Sequence, residues 1–326
     1  MNLDAEILTA LRSSKNGSVS GAELSQKLGV SRAAIWARIE ELRSLGYDIE
    51  ASPHLGYQLV SVPDVLHADD LRSRLPKVKV VGRDIRVFQE TTSTNDVVEK
   101  LARDGVKEGA VVFAESQTKG RGRLGRKWIS PVKKGLWFSV LLRPDLRPQA
   151  ATQLTVVAAT ALARAIRSQT QLTPEIKWPN DILIRGKKVA GILTELSAEL
   201  DHVKYLILGI GVDVNLTASE FPADLRKVAT SLKIEAGRTI NRADLAVALL
   251  AELDADYARI SSGQFGSVAD EWEEQCATLG RNVSIQMGDR AIQGRAESLD
   301  SDGALLVRTQ HGHLERIIGG DVTLEK

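Results

Sequence analysis

The residues best suited to chemistry lie in one short stretch, KGRGRLGRKW, which runs from Lys119 to Trp128. It contains five Lys or Arg side chains and three glycines in ten residues. Glycine lets backbone amides approach a ligand closely, and the arginine fork binds carboxylate or phosphate through paired hydrogen bonds. This basic loop (residues 119–128) is therefore predicted to bind an anion.

Three interpretations of the basic loop compete. A solvated surface loop is the simplest, but eight Lys or Arg and no carboxylate lie between Glu115 and Asp145, whereas a merely soluble surface interleaves acids. The GRGR segment suits an arm in the DNA minor groove, yet strand-like sequence resumes on both sides. A cradle for the phosphate of a small molecule fits best, with Trp128 as a stacking face. The loop pattern alone leaves the choice nearly even.

Strand-like and helical patterns alternate around the basic loop from about residue 79 to residue 270. β-branched runs such as IRVFQE, AVVFAES and GLWFSVLL alternate with helical patterns such as NDVVEKLARDG and RADLAVALLAELDADYARI. The spacing is too irregular for a doubly wound sheet, so it predicts a mixed sheet with helices packed on it. The tail is typical of short strands separated by turns, in the segments NVSIQMG, RAIQGRAESLD, GALLVRTQ and ERIIGGDVTLE.

The first sixty residues predict a helix-turn-helix followed by a wing. One helix begins after Ser20, with Glu23 three residues later as in a capping box, and ends at Gly29. After a short turn, the next helix begins after Ser31 and ends at Gly46. Its buried stripe is predicted to be Ile35, Ile39, Leu42 and Leu45. The segments YDIEAS, PHLG and YQLV then predict a β-hairpin wing.

A winged helix-turn-helix places its second helix in the major groove of DNA. The residues expected to face DNA are Ser31, Arg32, Trp36 and Arg38. Five cations and one carboxylate, Glu23, lie between residues 12 and 38. The cations are Arg12, Lys15, Lys27, Arg32 and Arg38. Because residues 1–62 sum to six cations and seven acids, we expect modest, salt-sensitive DNA binding that a dimer reinforces, with a domain for protein contacts as the alternative.

Composition limits the class of protein. The 326 residues, 43% hydrophobic and 26% charged, predict a globular protein of two or three domains. The single cysteine, Cys276, excludes an intrachain disulfide and a Cys-based zinc site, and its context WEEQCATLG predicts a helical core position. Because the sequence shows neither an apolar targeting segment nor a stretch long enough to span a membrane, we expect a soluble, cytoplasmic protein with no membrane partner.

Three further motifs accompany the basic loop. They are TTSTND at residues 91–96, EIKWPNDILI at 175–184 and LGIGVDVN at 208–215. Together with ESQTKGRGRLGRKW they stand in the order and approximate spacing of the motifs of biotin protein ligases, which the chain resembles over essentially its full length. The winged helix, with GVSRAAI in its second helix, makes the chain similar to the bifunctional bacterial members that also repress the biotin operon. GRGRxGRxW and KWPND are highly specific in combination, although neither suffices alone.

The resemblance implies a multidomain α+β fold. An N-terminal winged helix-turn-helix precedes a central mixed β-sheet with helices, related to class II aminoacyl-tRNA synthetases and lipoate ligases, and a C-terminal SH3-like small β-barrel follows. The expected boundaries are residues 1–62 for the DNA-binding domain, 63–78 for a linker, 79–272 for the catalytic domain that binds biotin and ATP, and 273–326 for the barrel.

The resemblance also implies the reaction. Biotin and ATP, with Mg²⁺ on the phosphates, give biotinyl-AMP and pyrophosphate, and a lysine of a biotin carboxyl carrier domain then attacks the mixed anhydride. The implied biotin-binding residues are Ser93, Thr94, Asn95, Gln117, Gly120, Arg121, Arg123, Lys177 and Gly191. The implied ATP-binding residues are Arg123, Arg126, Trp128, Asn180, Asp213 and Asn215. No residue is assigned to a metal.

Four residues are expected to carry the chemistry. The resemblance places Lys177 where it bridges the reacting carboxyl and phosphoryl oxygens, and Arg121 and Arg123 along the biotin carboxylate and the α-phosphate. Their cations would bring two anions together against their mutual repulsion. We add Asp181 as the carboxylate that orients or deprotonates the attacking lysine of the carrier.

Two positions depart from the family pattern. Asp213 stands where the family motif GIGxNxN has its first asparagine, which both donates and accepts hydrogen bonds, whereas an ionised aspartate only accepts. Asp213 can still accept a hydrogen from the exocyclic amine of adenine. In the tail the repressor-type members have an arginine shortly after GGE, whereas this chain continues GGDVTLEK with Glu325, so no nucleotide contact is inferred there.

The motifs therefore lead to a first hypothesis of a biotin ligase and a second of a DNA-binding repressor. The family combines both, with biotinyl-AMP ordering the loop and promoting a homodimer whose paired winged helices span a palindromic operator. The alternatives are a ligase for another carboxylic acid such as lipoate, and a ligase without active DNA regulation. The basic loop GRGRLGRKW favours biotin.

Overall fold

The computed structural model describes residues 3–14, 17–53 and 55–324. Lys15, counted above among the cations, and Glu325 in the tail lie outside the described residues. The chain divides into two compact units, Met1–Pro76 and Lys77–Lys326. None of the described helices is both long and apolar enough to cross a membrane.

The first unit is a winged helix-turn-helix, as predicted. Its elements are α1 (Leu3–Ser13), α2 (Gly21–Leu28), α3 (Arg32–Ser44), β1 (Asp48–Ser52), β2 (Gly56–Ser61) and α4 (Ala68–Arg74). Ser20 Oγ accepts a hydrogen bond from the backbone N–H of Glu23 at 3.0 Å, and Gly29 ends α2 in the left-handed region with φ 67°. Ser31 begins α3 in the same way as Ser20 begins α2. The two caps confine the turn between the helices to three residues.

The core of the first unit lies among its helices and the wing. Ile35, Ile39 and Leu42 of α3 are fully buried in this cluster, as predicted. Leu45 is 42% exposed, so its place in the predicted stripe is wrong. The reason is that α3 ends at Ser44 and Leu45 is already its C-cap residue. Helix α4 occupies part of the segment that was expected to be a linker.

The second unit is built on a seven-stranded mixed sheet with the strand order β3-β4-β5-β9-β8-β7-β6. Only the β3–β4 pair is parallel among these neighbours. The strands are β3 (Asp84–Thr91), β4 (Ala110–Gln117), β5 (Gly135–Leu142), β6 (Glu175–Lys177), β7 (Asp181–Ile184), β8 (Lys187–Ala198) and β9 (Val203–Asp213). Every residue of β5 is buried, because both faces of this central strand are covered.

The helices of the second unit pack on this sheet, which confirms the predicted mixed architecture. They are α5 (Thr94–Arg103), α6 (Thr152–Thr170), α7 (Leu232–Ala236), α8 (Arg242–Ser261) and α9 (Phe265–Glu274). Helix α6 is buried over most of its length because it packs against β8 on one side and against α8 and α9 on another. Most relevant for the site, α5 begins directly after Thr92 and Ser93, the two residues that follow β3.

Five antiparallel strands form the small C-terminal sheet, in the order β13-β12-β11-β10-β14. They are β10 (Asn282–Met287), β11 (Arg290–Leu299), β12 (Leu305–Thr309), β13 (Leu314–Ile317) and β14 (Asp321–Leu324). The segment ERIIGGDVTLE was expected to be one strand, but Gly319 and Gly320 divide it into two, with φ 148° at Gly320. This division places the start of β14 at the site described below.

The predicted helical position of Cys276 is wrong. Helix α9 already ends at Glu274, and Cys276 forms an isolated parallel bridge with Ile176, whose backbone N–H and C=O bond to the segment after α9. Burial raises the pKa of the Cys276 thiol. The residue is therefore a half-buried, protonated thiol at the junction between the main sheet and the C-terminal strands.

Candidate active site

The motifs meet at one cavity of about 950 Å³ in the second unit. Its walls are the start of α5, the basic loop, the turn between β6 and β7, the strands β8 and β9, and the start of β14. The predicted site residues that line it are Ser93, Thr94, Asn95, Gln117, Arg121, Arg123, Arg126, Trp128, Lys177, Asn180, Asp181, Gly191 and Asp213. The fold thus brings together motifs that lie far apart in the sequence.

Glycines of β8 and β9 form the floor of the cavity. Gly191 pairs with Gly211 across the two strands, and a Cβ at Gly211 would lie 2.6 Å from Trp128 Cε2. A Cβ at Gly209 would lie 2.4 Å from Asn95 Oδ1. The GIG motif therefore serves close side-chain approach to the sheet, and only glycine allows it at these two positions.

A polar network lines one end of the cavity where α5 begins. Gln117 Oε1 accepts a hydrogen bond from the backbone N–H of Thr94 at 2.9 Å, and Gln117 Nε2 donates to Ser130 Oγ at 2.8 Å. Ser93 is buried at the N-cap position of α5, but its hydroxyl makes no capping hydrogen bond. Its hydroxyl is thus not taken up by the helix.

Two serines and one glutamate in this network were missed in the sequence. Ser139 Oγ lies 2.7 Å from Thr94 Oγ1 and 2.5 Å from Asn95 Oδ1, although it belongs to the fully buried strand β5. Glu195 Oε2 of β8 accepts from Asn95 Nδ2 at 2.8 Å. A lone polar residue in the apolar run GLWFSVLL was the available signal for Ser139, since buried hydroxyls need a partner. Ser130 and Glu195 carried no comparable signal.

The basic loop is a tight hairpin. Arg121 and Lys127 form a bridge, the backbone N–H of Gly122 donates to the C=O of Arg126 at 2.7 Å, and Leu124 takes the left-handed region with φ 55°. Trp128 returns the chain to the sheet, where its ring packs beside Trp137 with the ring centroids 6.4 Å apart. The loop backbone is therefore held by hydrogen bonds within the hairpin before the chain rejoins the sheet.

The arginines of the basic loop do not converge on one point. Arg121 forms ion pairs with Asp96 of α5 and, at 3.1 Å, with Glu195 of β8. Burial lowers the pKa of Arg121, but the hydrogen bond that Arg121 donates to Asp96 and the charge of Glu195 raise it overall, so the guanidinium stays charged. It stands beside the polar network.

Arg123 and Arg126 point toward the C-terminal sheet. Arg123 donates to Asn180 Oδ1 at 3.0 Å and to the C=O of Gly320 at 3.5 Å, and Arg126 forms an ion pair with Asp321. Burial lowers the pKa of the Arg123 guanidinium. An arginine keeps its charge at neutral pH nonetheless. These two cations therefore line the side of the cavity that β14 closes.

The KWPND motif forms the end of β6 and the turn into β7. Lys177 is half-buried and lines the cavity, and its ammonium makes no ion pair with any described residue. Asn180 Nδ2 donates to the C=O of Ile192 at 2.9 Å, which leaves its oxygen to Arg123. The Trp178–Pro179 peptide bond, between Lys177 and Asn180 in the sequence, is cis. The motif thus offers one cation to the cavity and uses its asparagine to hold the turn.

Asp181 has a partner that the sequence did not suggest. Lys188 Nζ lies 2.6 Å from Asp181 Oδ1 and 5.2 Å from the centroid of the Trp128 ring. Lys188 comes from the start of β8, the strand next to β7 in the sheet. Its ammonium therefore links the carboxylate to the face of the indole by charge and by a cation–π contact.

The two polar residues of GVDVN have different surroundings. Asp213 is buried and lines the cavity, and burial raises the pKa of its carboxyl well above the usual range, with the charge of Lys188 opposing this. Asn215 does not line the cavity, because its side-chain amide is bonded to the backbone of Ile240. Its Nδ2 donates to the C=O of Ile240 at 2.9 Å, and its Oδ1 accepts from the N–H of Ile240 at 3.0 Å. Asn215 thus fixes the segment before α8.

Gly120 likewise lies behind the wall, since a Cβ there would meet the C=O of Trp128 at 2.4 Å.

The residues predicted to face DNA lie on α3 of the first unit. Arg32 is exposed, Trp36 is 57% exposed, and Ser31 Oγ accepts from the backbone N–H of Ala34 at 3.2 Å. Arg38 instead pairs with the buried carboxylate of Asp4 and with Glu41. Arg38 therefore holds α1 against α3, and its guanidinium is already engaged.

The described residues contain no group of three His, Cys, Asp or Glu side chains that could hold a metal ion. The charged groups around the cavity are mainly cationic, so the protein surface there suits an anion rather than a bare cation. Any Mg²⁺ that accompanies a nucleotide would have to be held mostly by phosphate oxygens and water.

Comparison with known proteins gives three family matches along the chain. Residues 5–58 match the HTH domain, residues 87–213 match the Biotin/lipoate A/B protein ligase family, and residues 278–324 match the Biotin protein ligase C terminal domain. The matches follow the order of the winged helix, the mixed sheet and the C-terminal sheet.

Individual relatives extend over the whole chain. The bifunctional ligase/repressor BirA of Bacillus subtilis (strain 168) is 37% identical over 322 residues, which cover 99% of this chain and 98% of the relative. The protein of the same name from Escherichia coli (strain K12) is 32% identical, with 94% and 92% covered. Among solved structures, the biotin protein ligase from Aquifex aeolicus in complex with biotin and ATP is similar with a TM-score of 0.64 and 31% identity, and covers 75% of this chain and 99% of its own.

Proposed function

Because the chain belongs to the biotin protein ligase family, we propose that it converts biotin and ATP to biotinyl-AMP and pyrophosphate and then transfers biotin to a lysine of a biotin carboxyl carrier domain, with release of AMP. The observation that carries this proposal is the arrangement within one cavity. A polar network of hydroxyl and amide side chains, joined by Glu195, occupies one end, the cations of the basic loop and Lys177 border the middle, and an indole lies over glycines on the floor. Such a cavity suits a ligand with a polar ring, a carboxylate and a nucleotide.

The polar network suits the ureido ring of biotin. This ring has two N–H donors and one C=O acceptor, and the network contains the Ser93 hydroxyl and the Gln117 amide side by side at the wall. Thr94 and Asn95 complete it. Gly191 lies instead under Trp128 and Lys188, because a Cβ there would lie 2.9 Å from Trp128 Cζ3 and 3.1 Å from Lys188 Cε. Neutral donors and acceptors that are already held by hydrogen bonds bind such a ring without reorganisation.

The middle of the cavity suits the reacting carboxylate and the α-phosphate. Two anions approach each other there, so the reaction needs cations in a site with little water. Arg121 and Arg123 flank this region from opposite sides, and Lys177 faces it without an ion-pair partner among the described residues. When bound with ATP, Mg²⁺ supplies further charge on the phosphates. The chain itself contributes the lysine that neutralises the charge on the oxygens where the new bond forms.

The remaining wall suits the nucleotide. The Trp128 ring and Asp213 stand at the part of the floor nearest Lys188, and Arg126 lies beside the start of β14. We assign Trp128, Asn180 and Asp213 to the adenosine side and Arg123 and Arg126 to the phosphates. Asn215 acts indirectly by holding the segment after β9.

Pyrophosphate release tests the proposed reaction. The protein is incubated with ATP and Mg²⁺ together with biotin, lipoate or no acid, and pyrophosphate is measured. Release that requires biotin, followed by label transfer to a carrier domain, is expected. Release with lipoate but none with biotin would replace this proposal with a lipoate-type ligase, for which the fold is equally suitable.

Asp181 is assigned to the transfer step. Asp181→Asn is expected to slow transfer from preformed biotinyl-AMP to the carrier by about 100-fold, the lower range for loss of a general base, while adenylation changes much less. Single-turnover transfer of labelled biotin measures the first rate and pyrophosphate release the second. Asp224→Asn, at an exposed position, is the matched control.

The pair with Lys188 calls for a second comparison. If Lys188→Met slows transfer as much as Asp181→Asn does, the effect arises from the ion pair and not from proton removal by Asp181. If Asp181→Asn retains full transfer and full adenylation, the role is excluded.

The winged helix supports a second activity, regulation of transcription. The match to the HTH domain and the ligase/repressor relatives favour DNA binding by the first unit, with Arg32 and Trp36 as the exposed side chains of α3. We expect a homodimer, promoted by biotinyl-AMP, that binds a palindromic operator upstream of biotin-synthesis genes. Because the operator DNA, ATP and the carrier domain are all expected in the cytoplasm, we propose a cytoplasmic location. Gel shifts with and without biotinyl-AMP, and sedimentation of the protein with that ligand, test the two expectations.

Arg32→Ala is expected to weaken operator binding by about tenfold, the loss of one good contact to a base or phosphate, and to lower the slope of log K against log salt by about one if the contact is to phosphate. Fluorescence anisotropy at several salt concentrations gives both values. Arg290→Ala, which changes an exposed arginine of β11, is the control. An unchanged affinity in Arg32→Ala would exclude this helix face as the DNA surface.

A further inference from the structure

We propose that Asp213 is held as a neutral carboxylic acid and binds the adenine base with both of its oxygens, donating its O–H to a ring nitrogen and accepting a hydrogen from the exocyclic amine. This inference rests on the proposed function, because it concerns the nucleotide of that reaction. It goes beyond that function in giving the chain a specific proton that nucleotide binding requires. An ionised aspartate would face the ring nitrogen with a lone pair and repel it.

The first step is the position of Asp213 on its strand. Gly209, Gly211 and Asp213 alternate along β9 and therefore point to the same face of the sheet. The first two glycines lie under Asn95 and Trp128. Asp213 continues this row at the cavity wall beyond the indole, so its carboxyl is the next polar group that a ligand lying over the glycines would meet.

The second step is the apolar surroundings of the carboxyl. Its cross-strand neighbour is Gly135, and a Cβ there would lie 2.2 Å from Trp137 Cη2, so an indole covers that side. Trp137 belongs to a buried cluster with Leu216 and Phe221, against which Trp128 packs. The Asp213 residue is only 6% exposed. Burial among aromatic rings favours the uncharged form of a carboxyl group.

The third step is the lack of compensation for a charge. The Asp213 carboxyl receives no hydrogen bond from the described residues, and the charged side chain that acts on it is Lys188 of β8. Lys188 is itself engaged with Asp181 of β7 at 2.6 Å and with the Trp128 ring. On the side of β5 the nearby cations are Lys134, which pairs with Glu220 at 3.0 Å, and Arg242, which donates to the C=O of Gly135 and pairs with Glu115 at 2.6 Å. These cations are thus matched by other carboxylates, and the pKa of Asp213 stands well above its usual range.

The chemistry then follows from the protonation state. A neutral carboxyl has one donor and one acceptor side by side, as the amide of asparagine has, and matches the adjacent acceptor and donor on an edge of adenine. ATP binds only the protonated enzyme, so its apparent dissociation constant increases about tenfold for each pH unit above the pKa of Asp213, as the competent fraction falls. Asparagine at this position would bind without a proton.

The test is the pH dependence of ATP binding in the full-length enzyme. Biotin-dependent pyrophosphate release at pH 6.5 first establishes the reaction in the wild type, so a failure there concerns the proposed function and not Asp213. The KM for ATP is then measured up to pH 10 in the wild type, in Asp213→Asn and in Asp224→Asn, with the KM for biotin as a reference. In the wild type and in Asp224→Asn we expect the KM for ATP to rise at least tenfold at the alkaline end. In Asp213→Asn it should change less than about twofold. Superimposed profiles of the wild type and Asp213→Asn overturn the proposal.

Infrared spectroscopy provides a readout independent of activity. The wild type at pH 7 should show the C=O stretch of a protonated carboxylic acid that is absent from Asp213→Asn and present in Asp224→Asn. If the band is absent from the wild type as well, Asp213 is ionised and the proposal is wrong. If Asp213→Asn does not fold, the infrared band is measured in the wild type alone as a function of pH. Its presence or absence at pH 7 then decides whether the carboxyl is protonated.

Protonation also sets the sign of a stability effect. The native state keeps a proton on Asp213 that the unfolded chain releases above about pH 4, the ordinary pKa of an aspartic acid. Because the folded pKa is raised, the associated stability is complete below about pH 4 and is lost as the pH rises toward the folded pKa. The thermal midpoint of Asp213→Asn relative to the wild type should therefore increase between pH 4 and pH 8. A constant difference over this range would contradict the raised pKa.

Discussion

Replacing Lys177 with methionine is expected to slow biotin-dependent pyrophosphate release by about 100- to 1,000-fold, the effect of removing one preorganised group that stabilises transition-state charge. Methionine keeps most of the length and the apolar stem of lysine but removes the ammonium. Transfer from preformed biotinyl-AMP and the thermal midpoint should change much less. Stopped-flow detection of pyrophosphate measures the rate.

The size of this effect follows from the position of Lys177 in the cavity. The side chain is half-buried at the end of β6, and its ammonium makes no ion pair with a described residue. Arg121 and Arg126, by contrast, are partly neutralised by carboxylates of the protein itself. Lys177 therefore offers its full charge to the reacting oxygens.

Lys187→Met is the matched control for this variant. Lys187 is an exposed lysine at the start of β8, on the neighbouring hairpin. It changes the net charge by the same amount but does not line the cavity. Equal losses in the two variants would show that only the overall charge matters, and a loss below about fivefold in Lys177→Met would exclude a role for this lysine at the reacting centre.

Local patterns predicted the elements of the second unit well because each is locally consistent. GLWFSVLL is a run of strand formers, and it forms β5 over the same eight residues. The helix of NDVVEKLARDG and the long helix beginning at Arg242 also appear where their periodicity indicates. The wrong assignments, Leu45 and Cys276, lie just beyond the ends of helices. Where a helix ends one or two residues earlier than expected, the residue after it no longer follows the helical burial pattern.

The site residues that belong to a sequence motif were predictable. The side chains that pair with them from distant parts of the sequence were not. The basic loop contains five cations, and no acid lies between Glu115 and Asp145, which suggested that its arginines converge on one anion. The structure instead gives them partners from α5, β8 and β14, namely Asp96, Glu195 and Asp321. No spacing within the loop can reveal these carboxylates, because they are brought there by the strand order. For the same reason Lys188, which acts on both Asp181 and Asp213, was not singled out.

The largest effect on stability is expected at a buried ion pair beneath the loop. The Arg242 side chain begins α8 and, like its partner Glu115 of β4, has no exposed surface. Its guanidinium donates to both carboxylate oxygens, at 2.6 and 3.3 Å, and to the C=O of Gly135 at 3.3 Å. The pair thus ties α8 to β4 and β5, the strands on either side of the basic loop in the sequence.

Arg242→Met is therefore expected to lower the free energy of unfolding of the second unit by about 3–5 kcal/mol, because it leaves the Glu115 carboxylate buried without this partner. Urea unfolding followed by tryptophan fluorescence is a suitable measurement, since four of the five tryptophans lie in that unit. Adding Glu115→Gln to Arg242→Met should recover part of the loss by removing the unpaired charge. The control Arg103→Met breaks an exposed pair with Glu99 and should leave the unfolding midpoint close to that of the wild type. A loss below about 1 kcal/mol in Arg242→Met would mean that the carboxylate finds water or another donor when the arginine is gone.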